Sequence, residues 1–573
     1  MLLERLCAYA DRLEGTGPPM YDRTRIKYLI DLDRDGCRGT LVTLTGDEGT
    51  RNDRGVEMFA PTLVRSSGIR AKLLADNGEY VLGWGREGSN PRQVTARHAA
   101  FVERVRDCAA VTGHPGVCAV LRFLEADGPA TLERPDDFDP SANITFRVDG
   151  HLPIDDDTVR AYWARVTAPG DAGDGGAAQC LVCGRTGPVV ERLQFKIKGI
   201  PGGQSSGTAL ISANEEAFSS YGLSASRVSP ICGSCAERFS KALNALLANE
   251  STRLYLAGLV YAFWTRDDVG FSPVGLLSQP DEGQVRALLD AARRGQSAAV
   301  ALDPSPFYAV ALAGSGGRVA VRDWIDTTVG SAKQNLARYF ALQALVRPDG
   351  SPPRPYGLAA LVGATQREGS RDPAPPTVPR ALLRVALAGG PLPRWLLAQV
   401  LRRIRAAQRV TPAQATVIKM VLLSQRGGTG EEGTLMELDP NQRHPAYLCG
   451  RLLAVLDAIQ RAALGSTNAT IIDRFFGTAS TAPASVFGRL VRGAQPHLGK
   501  LRRERPGAYA ALERRLEEIM RGLPTFPRTL TIDEQGLFVL GYYHQRADDA
   551  RARLEHRRQE TEAVTDGAEQ PAE

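Results

Sequence analysis

Four of the nine cysteines stand in two pairs, Cys180-Leu-Val-Cys183 and Cys232-Gly-Ser-Cys235. Two C-x-x-C knuckles supply the four thiolates that a tetrahedral zinc ion takes, and the short spacing turns backbone amides toward the sulfurs. A redox pair is the rival reading, but a thioredoxin-type motif needs one C-x-x-C and here there are two. Four sulfur ligands fill the coordination sphere, so the expected zinc is structural and has no open position for water or substrate. The 48 residues between the knuckles exceed what a minimal ribbon requires, so the metal is expected to clasp a larger insertion. Cys7, Cys37, Cys108, Cys118 and Cys449 are scattered in apolar surroundings and read as buried free thiols.

Between the knuckles runs a glycine-rich stretch, Lys196-Ile-Lys-Gly-Ile-Pro-Gly-Gly-Gln-Ser-Ser-Gly-Thr208. It imitates part of a phosphate loop, but no lysine precedes Thr208, so nothing would reach the β and γ phosphates of a nucleotide. What remains is an amide-rich loop carrying hydroxyls. Gln204, Ser205 and Ser206 are candidates for reading a base edge, with Lys196 and Lys198 beside them to hold phosphate. Asn77, on an expected Asn-Gly turn, and Lys72 are further candidates of the same kind. The plain alternative is a glycine turn between packed strands.

No catalytic constellation is visible. The histidines, His98, His114, His151, His444, His497, His544 and His556, form no H-E-x-x-H and no cluster of metal-ligand spacing. No G-x-S-x-G elbow or helicase signature appears. Asp155-Asp-Asp157 and Asp136-Asp-Phe-Asp139 read as solvated loops rather than cation sites. A non-enzyme is expected.

Hydrophobic residues make up 43% and charged residues 23%, a soluble globular balance. No apolar run reaches membrane-spanning length and no secretory leader is apparent, so a cytoplasmic location is expected. The net charge of +6 hides a strong segregation. From Ala374 to Arg558 there are 28 Lys/Arg against 15 Asp/Glu, and from Ala374 to Gly430 nine basic residues and no acid. In the helix expected around Pro393–Arg409, Trp395, Leu397, Val400, Leu401 and Ile404 give an apolar stripe, with Arg394, Arg402, Arg405 and Arg409 on an adjacent side. A second basic run holds Lys500, Arg502 and Arg503. Such stripes suit a nucleic-acid backbone, or are the solvated face of an arginine-rich protein.

The elements that must position these residues indicate a multi-domain α+β chain. Its mixed α/β N-terminal body carries a zinc-knuckle insertion and is followed by a C-terminal all-helical bundle. Residues 1–166 read as a β-rich domain, with strand runs at 26–32 and 39–44 and a helix over Pro91–Thr112. Residues 167–178 form a Gly/Ala/Asp linker. Residues 179–262 hold the knuckles and the glycine-rich loop. Residues 263–346 continue the α/β body, with a strand–turn–strand–helix pattern from 297 to 345. The proline-rich stretch 347–379 reads as an interdomain linker, 380–558 as the helical bundle, and 559–573 as a disordered acidic tail.

Several runs together resemble the large subunit of the type I-C CRISPR interference (Cascade) complex. These are Cys180-Leu-Val-Cys-Gly184, Ile197-Lys-Gly-Ile-Pro-Gly-Gly-Gln-Ser-Ser-Gly207, Ala217-Phe-Ser-Ser-Tyr-Gly222, Ala242-Leu-Asn-Ala-Leu-Leu247, Pro445-Ala-Tyr-Leu-Cys-Gly-Arg-Leu452 and Glu534-Gln-Gly-Leu-Phe-Val-Leu-Gly-Tyr-Tyr-His-Gln545. The resemblance extends from about residue 1 to 546. Many relatives lack the second knuckle, so the zinc reading rests on spacing and not on the family. The resemblance implies a non-catalytic subunit that holds the 5′ end of the CRISPR RNA and recognises the protospacer-adjacent motif in duplex DNA. It implies further that the subunit stabilises the displaced strand and supports recruitment of a helicase-nuclease, beside the backbone and RNA-processing subunits. It also implies separate synthesis of the helical domain, for which Met420 and Met436 are candidate starts. Two rivals stay open, a zinc-dependent nuclease and a stand-alone zinc-ribbon DNA-binding regulator.

Overall fold

The computed structural model describes residues 2–13, 17–46, 53–63, 65, 68–167, 177–190, 193, 195–213, 215–293, 303–370, 372–425, 435–465 and 468–568. The expected linker at 167–178 falls largely outside the described residues. The chain divides into two units, Met1–Ala245 with Gly314–Ala320, and Leu246–Ala313 with Val321–Glu573. The fold is mixed α/β with a helical C-terminal region, as its residue patterns indicate.

The first unit is built on one long strand. β1 (Tyr21–Leu32) is polar from Asp22 to Arg25 in its first half and is buried at Tyr28, Leu29, Ile30 and Leu32 in its second. Its two halves therefore take different partners on the same side. β2 (Gly39–Thr43) pairs antiparallel with Tyr28–Leu32, and β3 (Val56–Pro61) pairs antiparallel with Tyr21–Ile26. On the opposite side runs β5 (Asn143–Val148), parallel to β1, with β4 (Ala75–Asn77) antiparallel beyond it. A parallel pair needs a crossover, here the helices Pro91–Thr112 and Pro115–Glu125. Their Phe101, Val105, Val117, Val120 and Phe123 pack with Tyr28, Ile30, Ile144 and Phe146, and with Trp163 of the helix Asp157–Thr167. The short pair β6 (Ala178–Gln179) and β7 (Thr186–Gly187) belongs to this unit too, as does the helix Gly233–Ala248 through Ala245.

The second unit opens with β8 (Arg253–Leu256) and β9 (Leu259–Thr265), followed by β10 (Pro306–Ser315) and β11 (Arg318–Thr328) apart from residues 314–320, in sheet order β11-β10-β9-β8. Helices then dominate. The stretch 347–379, expected as an interdomain linker, contains a helix that packs. Its helix Leu358–Gly363 buries Leu358, Leu361 and Val362 in the unit's core. The last helix runs Ile532–Ala568, past the point where disorder was expected, and 569–573 lie outside the described residues. Met420 is fully buried inside the helix Pro412–Ser424, whereas Met436 precedes the helix Pro445–Leu464.

That helix, Pro445–Leu464, is apolar on nearly all sides and buried along most of its length, which marks it as the axis of the bundle. Two glycines let it approach Ile532–Ala568. A Cβ on Gly450 would overlap the Phe538 carbonyl, and one on Gly541 the Tyr447 carbonyl. Tyr447 Oη and His544 Nδ1 meet at 2.9 Å, and Arg451, buried, donates to Gln545 Oε1 at 3.0 Å and Glu518 Oε1 at 2.9 Å.

Two outcomes follow from this packing. Gly450→Ala should destabilise the second unit by about 1–3 kcal/mol, read as a lowered unfolding midpoint, because helix backbone has to move to admit one methyl. Lys419 is fully buried, its ammonium bonded to the Ala344 carbonyl, and burial pulls its pKa from 10.5 to about 8. The unfolded chain then binds the proton more tightly, so the folded state carries a penalty below pH 8 that fades as pH rises toward 10.5. That penalty is about 3 kcal/mol at most. Calorimetric midpoints between pH 8 and 10 should rise for the native protein relative to Lys419→Met, which should be the more stable of the two at pH 7.

Candidate metal centre and nucleic-acid interface

The first knuckle lies in the tight turn joining β6 to β7, and the second at the start of the helix Gly233–Ala248. Cys180 N–H donates to Arg185 O at 2.9 Å, Gly184 N–H to Cys180 O at 2.9 Å, and Leu181 N–H to Pro230 O at 2.9 Å, which brings the two knuckles together. The Sγ atoms of Cys180, Cys183, Cys232 and Cys235 all lie within 4.8 Å of one another. Sulfurs about 2.3 Å from a central zinc stand about 3.8 Å apart in a tetrahedron. Cys183 Sγ and Cys232 Sγ are 3.9 Å apart. Among the described residues this is the one group of three or more His, Cys, Asp or Glu able to hold a metal ion.

The electrostatics agree with a cation. Burial raises the Cys180 pKa, but backbone N–H groups of Cys183, Cys232 and Val182 outweigh it and bring the thiol to about 6. Burial, reinforced by the neighbouring sulfurs, pushes Cys235 well above the ordinary thiol range, and burial raises Cys232 as well. One thiolate is favoured by the protein alone, and a divalent ion would stabilise the rest.

The remaining cysteines depart from uniform burial. Cys7, Cys108 and Cys449 are buried, but Cys118 is half-buried and Cys37 exposed. Three of the histidines have structural tasks. His114 and His444 cap helix N-termini through Nδ1, and His98 Nδ1 meets the Tyr80 carbonyl. Asp139 holds Ser141, and Asp155 pairs with Arg160.

The glycine-rich loop is a closed excursion. Ile197 and Thr208 exchange two backbone hydrogen bonds at its neck, of 2.7 and 2.8 Å, and Gly207 folds back to Gln204 O at φ +98°, a left-handed angle that only glycine takes easily. Gln204, Ser205 and Ser206 are exposed at its tip. One side is backed by residues 314–320, which belong to the same unit. Gln204 N–H donates to Gly316 O at 3.1 Å, Ala209 N–H to Gly317 O at 2.8 Å, and Gly314 N–H to Pro201 O at 2.7 Å. A Cβ on Gly314 would overlap the Gly203 backbone. The other side is held by Asn244, which receives Lys198 N–H at 2.9 Å and donates to Lys196 O at 3.0 Å. Sequence reasoning assigned Asn244 no role. Its signal was a lone carboxamide in the apolar run Ala242-Leu-Asn-Ala-Leu-Leu247.

The other candidates sit differently. Lys198 is exposed, with Asp22 at 3.8 Å, and Lys196 is half-buried. Asn77 does not sit on a strand-to-strand turn. It ends β4 and caps the helix Gly78–Val81, its side chain accepting from Tyr80 N–H. Lys72 is half-buried, and burial lowers its pKa.

In the second unit the helix is Arg394–Ala407, capped by left-handed Gln408, so Arg409 lies beyond it and off the expected stripe. Leu396 fills the core where Trp395 was expected, and Trp395 is 42% exposed. The acid-free segment is not acid-free in space. Arg384 pairs with Asp323 at 2.7 Å, Arg394 with Asp533 at 3.0 Å and Arg409 with Glu368 at 2.6 Å. Arg405 is half-buried and donates to Leu401 O, and Lys500 lies 3.8 Å from Glu504. Arg402, Arg502 and Arg503 are exposed and form no ion pair among the described residues. A cleft of about 470 Å³, lined by Arg367, Glu368, Arg403, Arg409, Thr411 and Gln414, adds two arginines that the sequence did not single out.

The family described as CRISPR-associated protein (Cas_Csd1) matches residues 6–549, nearly the whole chain. No curated protein matches it. No described helix is long and apolar enough to cross a membrane.

Elemental analysis of protein prepared without chelators should find about one divalent metal per chain. Cys180→Ser with Cys232→Ser should lose it and lower the unfolding midpoint, because the metal's binding energy is folding energy.

Proposed function

The chain belongs to the Cas_Csd1 family of CRISPR-associated proteins, and from that premise we propose that it is the non-catalytic large subunit of a type I-C interference complex. Its glycine-rich loop reads the protospacer-adjacent motif in duplex DNA, and pairing with the CRISPR RNA reads the rest. The observation that carries this is the exposed Gln204-Ser-Ser206 tip on a loop fixed from both sides by Asn244 and residues 314–320. A glutamine carboxamide offers both a donor and an acceptor to a base edge, and a glycine backbone lets the tip enter a groove. Lys196 and Lys198 are the cations we assign to the adjoining phosphates.

Arg402, Arg502 and Arg503 are the cations we assign to the displaced strand, since they are exposed and no acid neutralises them among the described residues. Arg394, Arg405, Arg409 and Lys500 contribute less. Exposed pairs such as Arg409 with Glu368 are worth under about 1 kcal/mol, so phosphate can displace them at small cost. The metal is zinc in a structural role, because four sulfurs leave no position for water and favour a thiophilic ion. Binding of the CRISPR RNA 5′ end and support of a helicase-nuclease rest on the family alone.

The test compares complexes on matched targets with an intact or a scrambled motif. Gln204→Ala should cut discrimination by about 1–3 kcal/mol, and Asn77→Ala should leave it intact because that side chain caps a helix. Full discrimination in Gln204→Ala would place motif reading elsewhere. Replacing Arg402, Arg502 and Arg503 together by Ala should reduce the logarithmic salt slope of DNA binding by about 2, at roughly 0.7 counterions per single-strand phosphate contact.

A further inference from the structure

Beside the glycine-rich loop stands an arm that its own chain leaves uncovered. Every residue from Glu215 to Ser224 is exposed, and Tyr221, at 99%, is the most exposed large apolar side chain among the described residues. It sits at the first central position of the turn Ser220–Leu223, closed by a 2.8 Å hydrogen bond from Leu223 N–H to Ser220 O. Tyr221 has φ +52° and Gly222 φ +74°. Left-handed angles at both central residues are the pattern of a type I′ turn, which favours Asn or Gly at this position. A tyrosine there is strained, and no contact with its own chain offsets the strain. Such an outlier points to a ligand.

The arm is tied to the loop. Phe218, at 45% exposed, carries the Arg318 guanidinium 4.2 Å from its ring centroid. Arg318 follows Gly316 and Gly317, whose carbonyls accept from Gln204 and Ala209. Tyr221, Arg318 and the Gln204 tip are thus mounted on three connected segments of one unit. Ser219, Ser220, Gly222 and Ser224 flank the ring, so it is presented as an isolated plane with both faces open. Leu223, at 42%, is partly covered. Glu215 and Glu216 on the same arm repel a phosphate backbone, so a strand would meet the arm through an uncharged base.

We propose that Tyr221 is a stacking residue that takes an unpaired nucleobase onto its ring, in a strand whose neighbouring nucleotides are met by the glycine-rich loop and Arg318. This rests on the nucleic-acid reading given above. Aromatic stacking tolerates any base, which suits a residue that holds a separated strand next to a loop reading sequence.

The test uses the whole complex with its guide RNA and a target duplex in which 2-aminopurine replaces one base at a time through the motif and the first opened positions. At one position the bound fluorescence should be quenched. Tyr221→Ala should abolish that quench and weaken binding about tenfold without changing the salt slope, since no counterion is released. Tyr221→Trp should keep both. With the side chain exposed, neither variant should disturb folding. Equal affinity and an equal fluorescence profile for Tyr221→Ala would overturn the inference. Loss of a protein subunit from the Tyr221→Ala complex, with DNA binding by the free chain unchanged, would also overturn it and assign the arm to a protein contact. Failure of the unsubstituted complex to bind DNA would instead defeat the underlying reading, and this inference with it.

Discussion

Of the ten residues from Lys198 to Gly207, four are glycine and one is proline, and a segment of that composition has no conformation of its own. Its shape is imposed by its own neck, by residues 314–320 on one side and by one carboxamide on the other. Asn244 holds the backbone of Lys196 and Lys198 in two hydrogen bonds, and everything that positions Asn244 becomes a condition for the loop. Asn244 lies on the helix Gly233–Ala248, whose side chains also secure the N-terminal segments. Glu237 accepts from Met20 N–H at 2.8 Å, Lys241 donates to Pro18 O at 3.2 Å, and Arg238 reaches Asp11 and the Cys7 carbonyl. The helix begins at the second cysteine knuckle. The sulfur cluster, the helix, Asn244 and the loop form a single chain of dependence, in which a metal bound at the knuckles would stiffen the glycine-rich loop.

How legible this was in the sequence depends on the range of each interaction. The knuckles, the helix Pro91–Thr112 and the hairpin of β10 and β11 are set by nearby residues, and their patterns located them. The cysteine spacing placed all four sulfurs in one cluster. Asn77 was misplaced because Asn-Gly serves a turn and a helix cap equally well, and Gly78 starts a helix here. The ion pairs of the basic segment were hidden for a different reason. Charge along the chain says nothing of charge across space, and Asp323, Glu368 and Asp533 come from segments outside the acid-free run to meet its arginines. Proline content marked 347–379 as a linker, but Leu358, Leu361 and Val362 anchor one helix of it in the core.

The runs that carried the family resemblance serve two ends. Those in the first unit surround the sulfur cluster and the loop. Those in the second, around Tyr447–Arg451 and Gly541–Gln545, meet one another in the core. Gly450 and Gly541 allow two helices to touch backbone to backbone, and Arg451 is buried against Gln545 and Glu518. A buried guanidinium is costly unless it is paired, and Arg451 is paired through Nε and Nη2, while its buried Nη1 has no partner among the described residues. Such signatures report on the fold, and on their own they locate no ligand.

The order in which the chain is made bears on all of this. Residues 314–320 belong to the first unit, yet about 75 residues separate Ala245 from Ala320. At roughly 5–20 residues per second, a ribosome needs about 4–15 s to cover that distance. During that interval the sulfur cluster and Asn244 can already be in place, while the far wall of the glycine-rich loop has yet to be synthesised. The nascent first unit therefore waits with its loop half supported until its own residues 314–320 have emerged. A truncation anywhere between Ala245 and Ala320 would leave it permanently in that condition.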